Sequence, residues 1–592
     1  MSNNLLTEVL IIGAGPSGMV SALCLAQAGI RCVVVERAKG ISVHPKAHEL
    51  NARSIEILMG LGFSLDELQQ EASPQEDASR VCFCNSLDKE YGRIDLMEDK
   101  HNPEKYVEHL RAAQPYLNVS QTEVERLMLE HLQQAKGVTL LFEHQWEGLV
   151  EEGGVVTSQI RRRSDDTVLP LSSKYVLAAD GASSRVRKHL NIAMEGPEKL
   201  QDFVNAYLEM DLSQHVSARA KLYWLFHPEA PGTLIAHFVE KRWVYHIPIY
   251  PPYEKVEDYT EDVFKERIRT VLGEDVPVTI RSISYWRMTA QIARQFRSGP
   301  VFLVGDAAHR FPPTGGLGMN TGIADAHNIS WKLAAVLRGK AHNDLLETYE
   351  QERRPVAEKN CQESLDNYNK MFDVVKVLGM SKDGLEQLAR LKKAFSWLPR
   401  SWQKTLHKVL MIPAYRMLAK FDRNPEAQRK MKKVIDEQAP HFDRIGLDIG
   451  YIYQEGALVS DNSEPIPQEV SSYTPTAQPG ARFPHIWLDK DHTLSSHDIF
   501  DTTGYTLLLD NNGDKWKEAL HSIESLQTTI AIKEMEKCCH NDKLPNFRKL
   551  CEVQEDGALL IRPDGHVACR FKAITNNPIE TLERVFRECY IQ

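Results

Sequence analysis

The chain has 592 residues, 42% hydrophobic and 26% charged, with a formal net charge of -10. That length exceeds a single core and predicts three or four domains, while the small negative balance argues against nucleic acid or an anionic membrane as a general partner. No apolar run reaches the ~20 residues of a membrane span, and the N-terminus MSNNLLTEVLIIG enters a strand with no signal-peptide features, so a cytoplasmic protein without integral membrane contact is expected.

In chain order, the first predicted element is an apolar strand ending at Ile12, followed by Gly13, Gly15 and Gly18 and then by a run of helix formers. The first glycine permits a tight turn, the second lets backbone approach a pyrophosphate, and the third lets helix pack on strand. The helix N-terminus then faces the phosphates. A second strand, Cys32 to Val35, ends in Glu36, placed to hold ribose hydroxyls, with Arg37 beside it. Together these predict a dinucleotide site, for which FAD and NAD both qualify.

Residues 175–179 form an apolar strand ending in DGASSRVR, with Asp180 where the strand stops and Ser184 and Arg187 following. Residues 188–290 alternate apolar and polar, as in AKLYWLF, GTLIAHFV and RWVYHIPIY, and predict an antiparallel sheet. Its inward positions would bring Tyr223, Phe226, His237, Tyr245 and His246 to an aromatic-lined pocket. Residues 301–304 form another strand, ending in Gly305 and Asp306. Then comes FPPTGGLGMNTG, in which Pro312 and Pro313 stiffen the entry, and Gly315, Gly316, Gly318, Met319 and Asn320 offer bare N–H groups ahead of a helix start near Thr321 and Gly322. Ile329, Leu333, Val336 and Leu337 anchor that helix by one face.

The three motifs, GxGxxG, DGASSRVR and GDAAH, resemble those of the group A flavoprotein monooxygenases, the family of para-hydroxybenzoate hydroxylase and phenol hydroxylase, over residues 8–355. The resemblance implies that Gly13, Gly15, Gly18 and Glu36 bind the ADP half of FAD, that Asp306 holds the ribityl chain, and that Asp180 orders the site. It also implies a phosphate contact for Arg53 in NARSIEIL and a flavin contact for Gln121. Lys46 stands in HPKAHELN where the family has Arg; it keeps the charge but lacks the planar fork. Cofactor contacts are thus expected from Arg37, Lys46, Pro313, Gly316, Gly318, Met319 and Asn320 as well.

The resemblance further implies that NADH or NADPH reduces the flavin and that dioxygen then yields one oxygen atom to a phenolic or polyketide-like aromatic. A phenol reacts faster as phenolate, so a base or acceptor is expected from His237, His246, Tyr223 or Tyr245, with Pro313 bordering the reaction face. Oxygen insertion beside a ketone, and epoxidation, fit the same scaffold. Halogenation would require W-x-W-x-I-P, which WVYHIP at 243–248 approaches without matching, and a non-catalytic FAD-binding scaffold is a fourth reading.

Beyond Pro355, residues 361–444 read as a helical bridge or a pocket cover, interrupted at Pro399 and Pro413, with membrane contact by its basic amphipathic stretch as the lesser alternative. Residues 445–592, with PGARFPHIWL and LLIRPDGHVACRF, resemble the thioredoxin-like C-terminal domain of phenol hydroxylase but carry no CxxC, so packing or subunit contact, as in a homo-oligomer, is expected there. The ten cysteines lack metal-ligand spacing and are predicted to be reduced and structural, with no metal. The expected architecture is α/β: a Rossmann-like FAD-binding domain in two parts (1–187 and 291–360), an inserted antiparallel-sheet substrate domain (188–290), the helical segment and the thioredoxin-like domain.

Overall fold

The computed structural model describes residues 5–98, 103–112, 114–381, 383–397, 399–523, 530–539 and 544–591. Its organising element is a six-stranded sheet, ordered Arg297–Ser298, Val301–Leu303, Tyr175–Ala178, Val9–Ile12, Cys32–Val35 and Val138–Leu141. Every pairing is parallel except that of the Arg297–Ser298 edge strand. Val9–Ile12 and Cys32–Val35 are wholly buried and Tyr175–Ala178 is buried at all but its first residue, as parallel strands covered on both faces must be. Their register brings Ile12 beside both Val35 and Ala178, and Ala178 beside Leu303. Three segments far apart in sequence therefore end together: Gly13, Glu36, Asp180 and Asp306 follow at one carboxyl edge, where open α/β sheets bind ligands.

The Pro16–Gln27 helix follows the first strand so closely that a Cβ on Gly18 would come within 2.0 Å of the Gly13 carbonyl oxygen, and one on Gly13 within 2.3 Å of the Ala179 oxygen. Substituting Gly18 by Ala is expected to lower stability by about 1–3 kcal/mol through overpacking and to reduce bound flavin, measured as flavin absorbance per mole of protein alongside Tm. Full flavin occupancy with an unchanged Tm would contradict that role.

A second sheet has seven strands, ordered Thr279–Met288, Gln201–Glu209, Arg242–Ile249, Gly232–Phe238, Leu222–Leu225, Arg80–Ser86 and Lys89–Asp95. It is not built from residues 188–290 alone. The Leu222–Leu225 strand would otherwise leave an open edge, and it pairs in parallel with Arg80–Ser86 from the first half of the chain. One face packs on the Glu261–Leu272 helix through Tyr223, Trp243, Tyr245, Phe264 and Ile268. The other face looks onto the cleft.

The helical segment comprises Thr348–Val377, Gly384–Ala394, Arg400–Asp422 and Pro425–Asp436. Pro413 does not interrupt it, contrary to expectation, and lies inside the Arg400–Asp422 helix. The carbonyl deprived of a donor by Pro413 is that of Val409, on a residue 55% exposed, where water can serve it. The C-terminal unit carries a four-stranded mixed sheet, Ile530–Glu534, Tyr505–Leu509, Ala558–Ile561 and Val567–Phe571, flanked by Asp514–Ser522 and Pro578–Glu588. All ten cysteines are free thiols. Among the described residues no helix is long and apolar enough to cross a membrane, and no cluster of ligating side chains could hold a metal ion.

Candidate active site

The carboxyl edge of the parallel sheet and the free face of the seven-stranded sheet enclose a cavity of about 1690 Å³. A pocket for one drug-sized ligand measures ~300–1,000 Å³, so this one has room for a dinucleotide and a second molecule.

At the nucleotide end, Gly15 caps the Pro16–Gln27 helix, and a Cβ there would meet nothing within 4 Å. Glu36 accepts hydrogen bonds from the Ala14 and Ala38 N–H groups (3.0 and 2.8 Å). Arg37, Lys46 and Gln121 line the same cavity, and Gln121 donates to Glu125 at 2.7 Å. Asp180 accepts from the Arg185 and Val186 N–H groups at 2.7 and 3.2 Å, while its other carboxylate oxygen is buried without a protein partner. Asp306 is exposed to the cavity, and the protein enclosing it raises its pKa.

The loop bearing Asp306 is held from three directions. Arg187 donates to the Ala307 carbonyl at 2.9 Å, and Tyr349 donates to that of Leu303 at 2.8 Å. Buried Asp325 receives the Gly305 N–H (3.3 Å), His309 Nε2 (2.6 Å) and Arg353 Nε (2.7 Å). The Arg of DGASSRVR, the His of GDAAH and an Arg of YEQERRPVA therefore serve one purpose, which is to fix the loop's backbone.

Beyond it, the Pro313 carbonyl accepts the Gly316 N–H at 3.0 Å. Gly315 and Gly316 both have positive φ, +108° and +61°, a region that favours glycine. Helix begins at Leu317, one turn before the expected Thr321 and Gly322, with Gly316 as its N-cap. Gly318 and Met319 therefore lie in the first helical turn, where N–H groups lack intrahelical partners, and both line the cavity with Pro313 and Gly316.

Two expected contacts fall elsewhere. Asn320 turns away and fastens the helix start to the Glu49–Asn51 strand, accepting from the Asn51 N–H and donating to the Glu49 carbonyl, both at 3.0 Å. Arg53 is buried and donates to the Asp564 carbonyl at 2.6 Å, so it joins the C-terminal unit rather than a phosphate.

Strand alternation sorts the sheet candidates. Tyr223 and Tyr245 lie on the packed face, fully buried, and their hydroxyls donate to the carbonyls of Ala218 (2.7 Å) and Ala230 (2.9 Å). They do not reach the cavity, because odd-numbered positions in both strands point to the Glu261–Leu272 helix. His237 lies one layer behind the cavity, its ring edge-on to His48 at 6.1 Å. His246 and Phe226 do line it.

The register aligns Ser284, Asn205, His246, Thr233 and Trp224 across five strands, and all five face the cavity. Asn205 donates to His44 Nε2 at 2.8 Å, Ser284 donates to Asn205 at 3.1 Å, and His44 Nδ1 lies 2.7 Å from the Ser282 hydroxyl. Apart from His246, this row was missed from sequence. Period-two alternation identifies a strand's faces but not its partners in register.

His246 has no side-chain hydrogen bond to the protein among the described residues. Its ring meets Trp286 edge-on at 5.8 Å, and burial, with His44 and His48 nearby, lowers its pKa to about 3. It is thus a neutral imidazole at the cavity wall with neither ring nitrogen engaged by the described residues of the protein, one able to accept and the other to donate.

A buried ionic group also lines the cavity. Glu49 pairs with Lys221 at 2.6 Å and with Arg444. Burial opposes ionisation of Glu49, yet Arg444 and Lys221 together hold its carboxyl well below the usual range.

The donor set suits FAD. Two helix N-termini and Arg37 and Lys46 offer positive ends to phosphates and to an electron-rich ring edge, Glu36 and Asp306 offer acceptors to sugar and ribityl hydroxyls, and Asp180 has an oxygen to spare.

Comparison with known proteins agrees. Residues 6–364 match the FAD binding domain family and residues 476–589 the aromatic-ring hydroxylase C-terminal family. The chain is 30% identical to 2,4-dichlorophenol 6-monooxygenase of Delftia acidovorans, over 95% of this chain and 94% of that protein. It is 28% identical to phenol 2-monooxygenase of Pseudomonas sp. (strain EST1001), over 99% and 93%. Among solved structures it resembles the flavin-dependent monooxygenase PieE in complex with FAD and substrate, with a TM-score of 0.85, 29% identity and full coverage of both chains. It also resembles aklavinone-11 hydroxylase in complex with FAD and aklavinone, with a TM-score of 0.78, 25% identity and full coverage of both.

Proposed function

Because this chain belongs to the FAD-dependent aromatic-ring hydroxylases, we propose that its substrate is a phenol whose hydroxyl donates a hydrogen bond to His246. When bound, FAD supplies the redox chemistry, taking electrons from NAD(P)H and activating dioxygen for transfer of one oxygen atom to the ring. The protein supplies position, dryness and charge. Gly15, Glu36 and Asp306 would seat the nucleotide and ribityl chain, and the first turn of the Leu317–Leu337 helix, with Gly316 as its cap, would face the flavin ring.

The observation that carries the substrate assignment is the unpartnered neutral imidazole of His246 on a face that also carries Phe203, Asn205, Trp224, Thr233, Ser284 and Trp286. An ordinary phenol has a pKa near 10. Full proton transfer to a group with a pKa of about 3 would cost roughly 9–10 kcal/mol, at ~1.4 kcal/mol per unit. His246 therefore orients the hydroxyl and accepts its hydrogen bond, and does not hold its proton. Support for a phenol also comes from relatives whose names specify phenol and dichlorophenol.

Loss of one such hydrogen bond is worth about 1–1.5 kcal/mol, so His246→Ala is expected to lower kcat/KM roughly tenfold. A larger share of NAD(P)H oxidation should then end in hydrogen peroxide rather than hydroxylated phenol. His246→Asn, which retains an acceptor, should recover part of the coupling. Equal coupling in the parent and the Ala variant, read from product per NAD(P)H consumed, would refute the assignment.

A further inference from the structure

The cavity does not end at the sheet. It continues between three helices, each of which turns a lengthwise stripe toward it. Met371 and Val375 come from Thr348–Val377, Leu388 and Leu391 from Gly384–Ala394, and Leu410 and Met417 from Arg400–Asp422. The last two residues are seven apart, a rise of about 10 Å along the helix.

From Tyr368 to Met417, no charged residue lines the cavity among the described residues, although the chain there is rich in Lys and Arg. Among the described residues the basic side chains of this stretch are exposed, and the inner surface is aliphatic and thioether toward its outer end. Leu391 is both a lining residue and 43% exposed, so this sector opens to the surface beside it. Toward the sheet, two of these helices, Thr348–Val377 and Arg400–Asp422, share a core with Leu222, Trp224 and Phe226. Trp224 lies two strands from His246 in the cross-strand row, a separation of about 10 Å.

A ring held at His246 therefore has an uncharged apolar passage beside it, about as long as the sheet interval and lined at its far end by flexible side chains. Methionine and leucine walls adapt to a chain with many conformers better than to one flat shape. Resting on the phenol assignment above, we infer that the substrate is a phenol bearing a flexible aliphatic chain, with the ring on the sheet and the chain between the three helices, directed toward Leu391.

The test uses FAD-loaded enzyme without NAD(P)H and measures the Kd of phenol, 4-butylphenol and 4-octylphenol from the change in flavin fluorescence. Affinity should rise about fourfold per added methylene over this series. Leu388→Trp and Met417→Trp, which fill the passage from two different helices, should each collapse the octyl-to-phenol affinity ratio by at least tenfold. Affinity independent of chain length, or a ratio unaltered in both variants, would overturn the inference.

Turnover with NAD(P)H separates this inference from the one beneath it. Hydroxylated product from phenol with no chain-length dependence of Kd would remove the passage and leave the phenol assignment standing. Chain-dependent binding that is lost in both Trp variants, without hydroxylation of any of the three, would support the passage and remove the phenol assignment.

Discussion

Acidification from pH 7.5 to 5.5 is expected to lower the stability of the protein by several kcal/mol, well above the range in which ordinary carboxylates titrate. The cause is a set of buried neutral histidines. His441, His485 and His566 are 2%, 2% and 1% exposed, and burial lowers each to about 3. His237 and His497 lie well below their usual value for the same first reason. In the unfolded chain a histidine titrates near 6.5. Below that pH the unfolded state binds more protons than the folded one, so stability rises with pH and is lost progressively as pH falls from about 6.5 toward 3.

Between pH 7.5 and 5.5 each of the first three contributes about 1.4 kcal/mol of that loss, or roughly 4 kcal/mol together. Carboxyls with raised pKa act in the opposite direction, among them Asp306, Glu125 and Glu363 and two with larger shifts. Burial raises Asp443 and Asp448 to about 6, so the folded state gains protons there before the unfolded state does, which offsets about 1–2 kcal/mol. The net loss remains large beside the 5–15 kcal/mol that holds a typical domain. The check is the urea midpoint at the two pH values, by tryptophan fluorescence. An equal or higher midpoint at pH 5.5 would show that these histidines are protonated in the native state.

The nucleotide half of the site was legible because its signals are local and repeated. Gly13, Glu36, Asp180 and Asp306 each end an apolar strand, and parallel strands laid side by side must place such ends at one edge. Gly316 was legible as bare backbone in a turn, but its place as the left-handed cap of a helix starting at Leu317 was not, since the helix start was expected near Thr321 and Gly322. The substrate half resisted for equally physical reasons. Alternation assigns Tyr245 and His246 to opposite faces, but both faces of this sheet are covered, so composition could not say which faces the cleft. Arg53 has a plausible position in sequence, yet its direction is set by the Asp564 carbonyl, 511 residues later. His44 and Asn205 meet across 161 residues, and the Glu49–Arg444 pair across 395. Such encounters follow from the packed fold and leave no trace in local pattern.

Arg562→Met is expected to cost about 3–5 kcal/mol and to release flavin, although Arg562 lies in the C-terminal unit and outside the cavity. Its guanidinium, 0% exposed, donates to both carboxylate oxygens of Glu352 at 2.9 and 2.7 Å and to both of Asp564 at 3.0 and 2.5 Å. Glu352 also receives Lys332 at 2.8 Å, Asn328 at 2.7 Å and the Ala457 N–H at 2.9 Å. Lys332, Arg562, Glu352 and Asp564 balance in charge, and removing Arg562 alone leaves an uncompensated negative charge in a dry interior, the costly way to break a buried pair. The strain would pass one residue along the Thr348–Val377 helix to Arg353, which holds Asp325 and through it the Gly305–Asp306 loop, and which also reaches the Thr321 carbonyl at 3.4 Å. The C-terminal unit thus connects through charge to the loop that carries Asp306. If so, Arg562→Met combined with Asp564→Asn, which restores neutrality, should recover at least half of the lost stability and part of the flavin content. The measurements are the urea midpoint and the flavin-to-protein absorbance ratio of the three proteins. A single variant as stable and as flavin-loaded as the parent would show that the network is dispensable, and a double variant no better than the single would show that hydrogen-bond geometry, rather than charge, is what Arg562 provides.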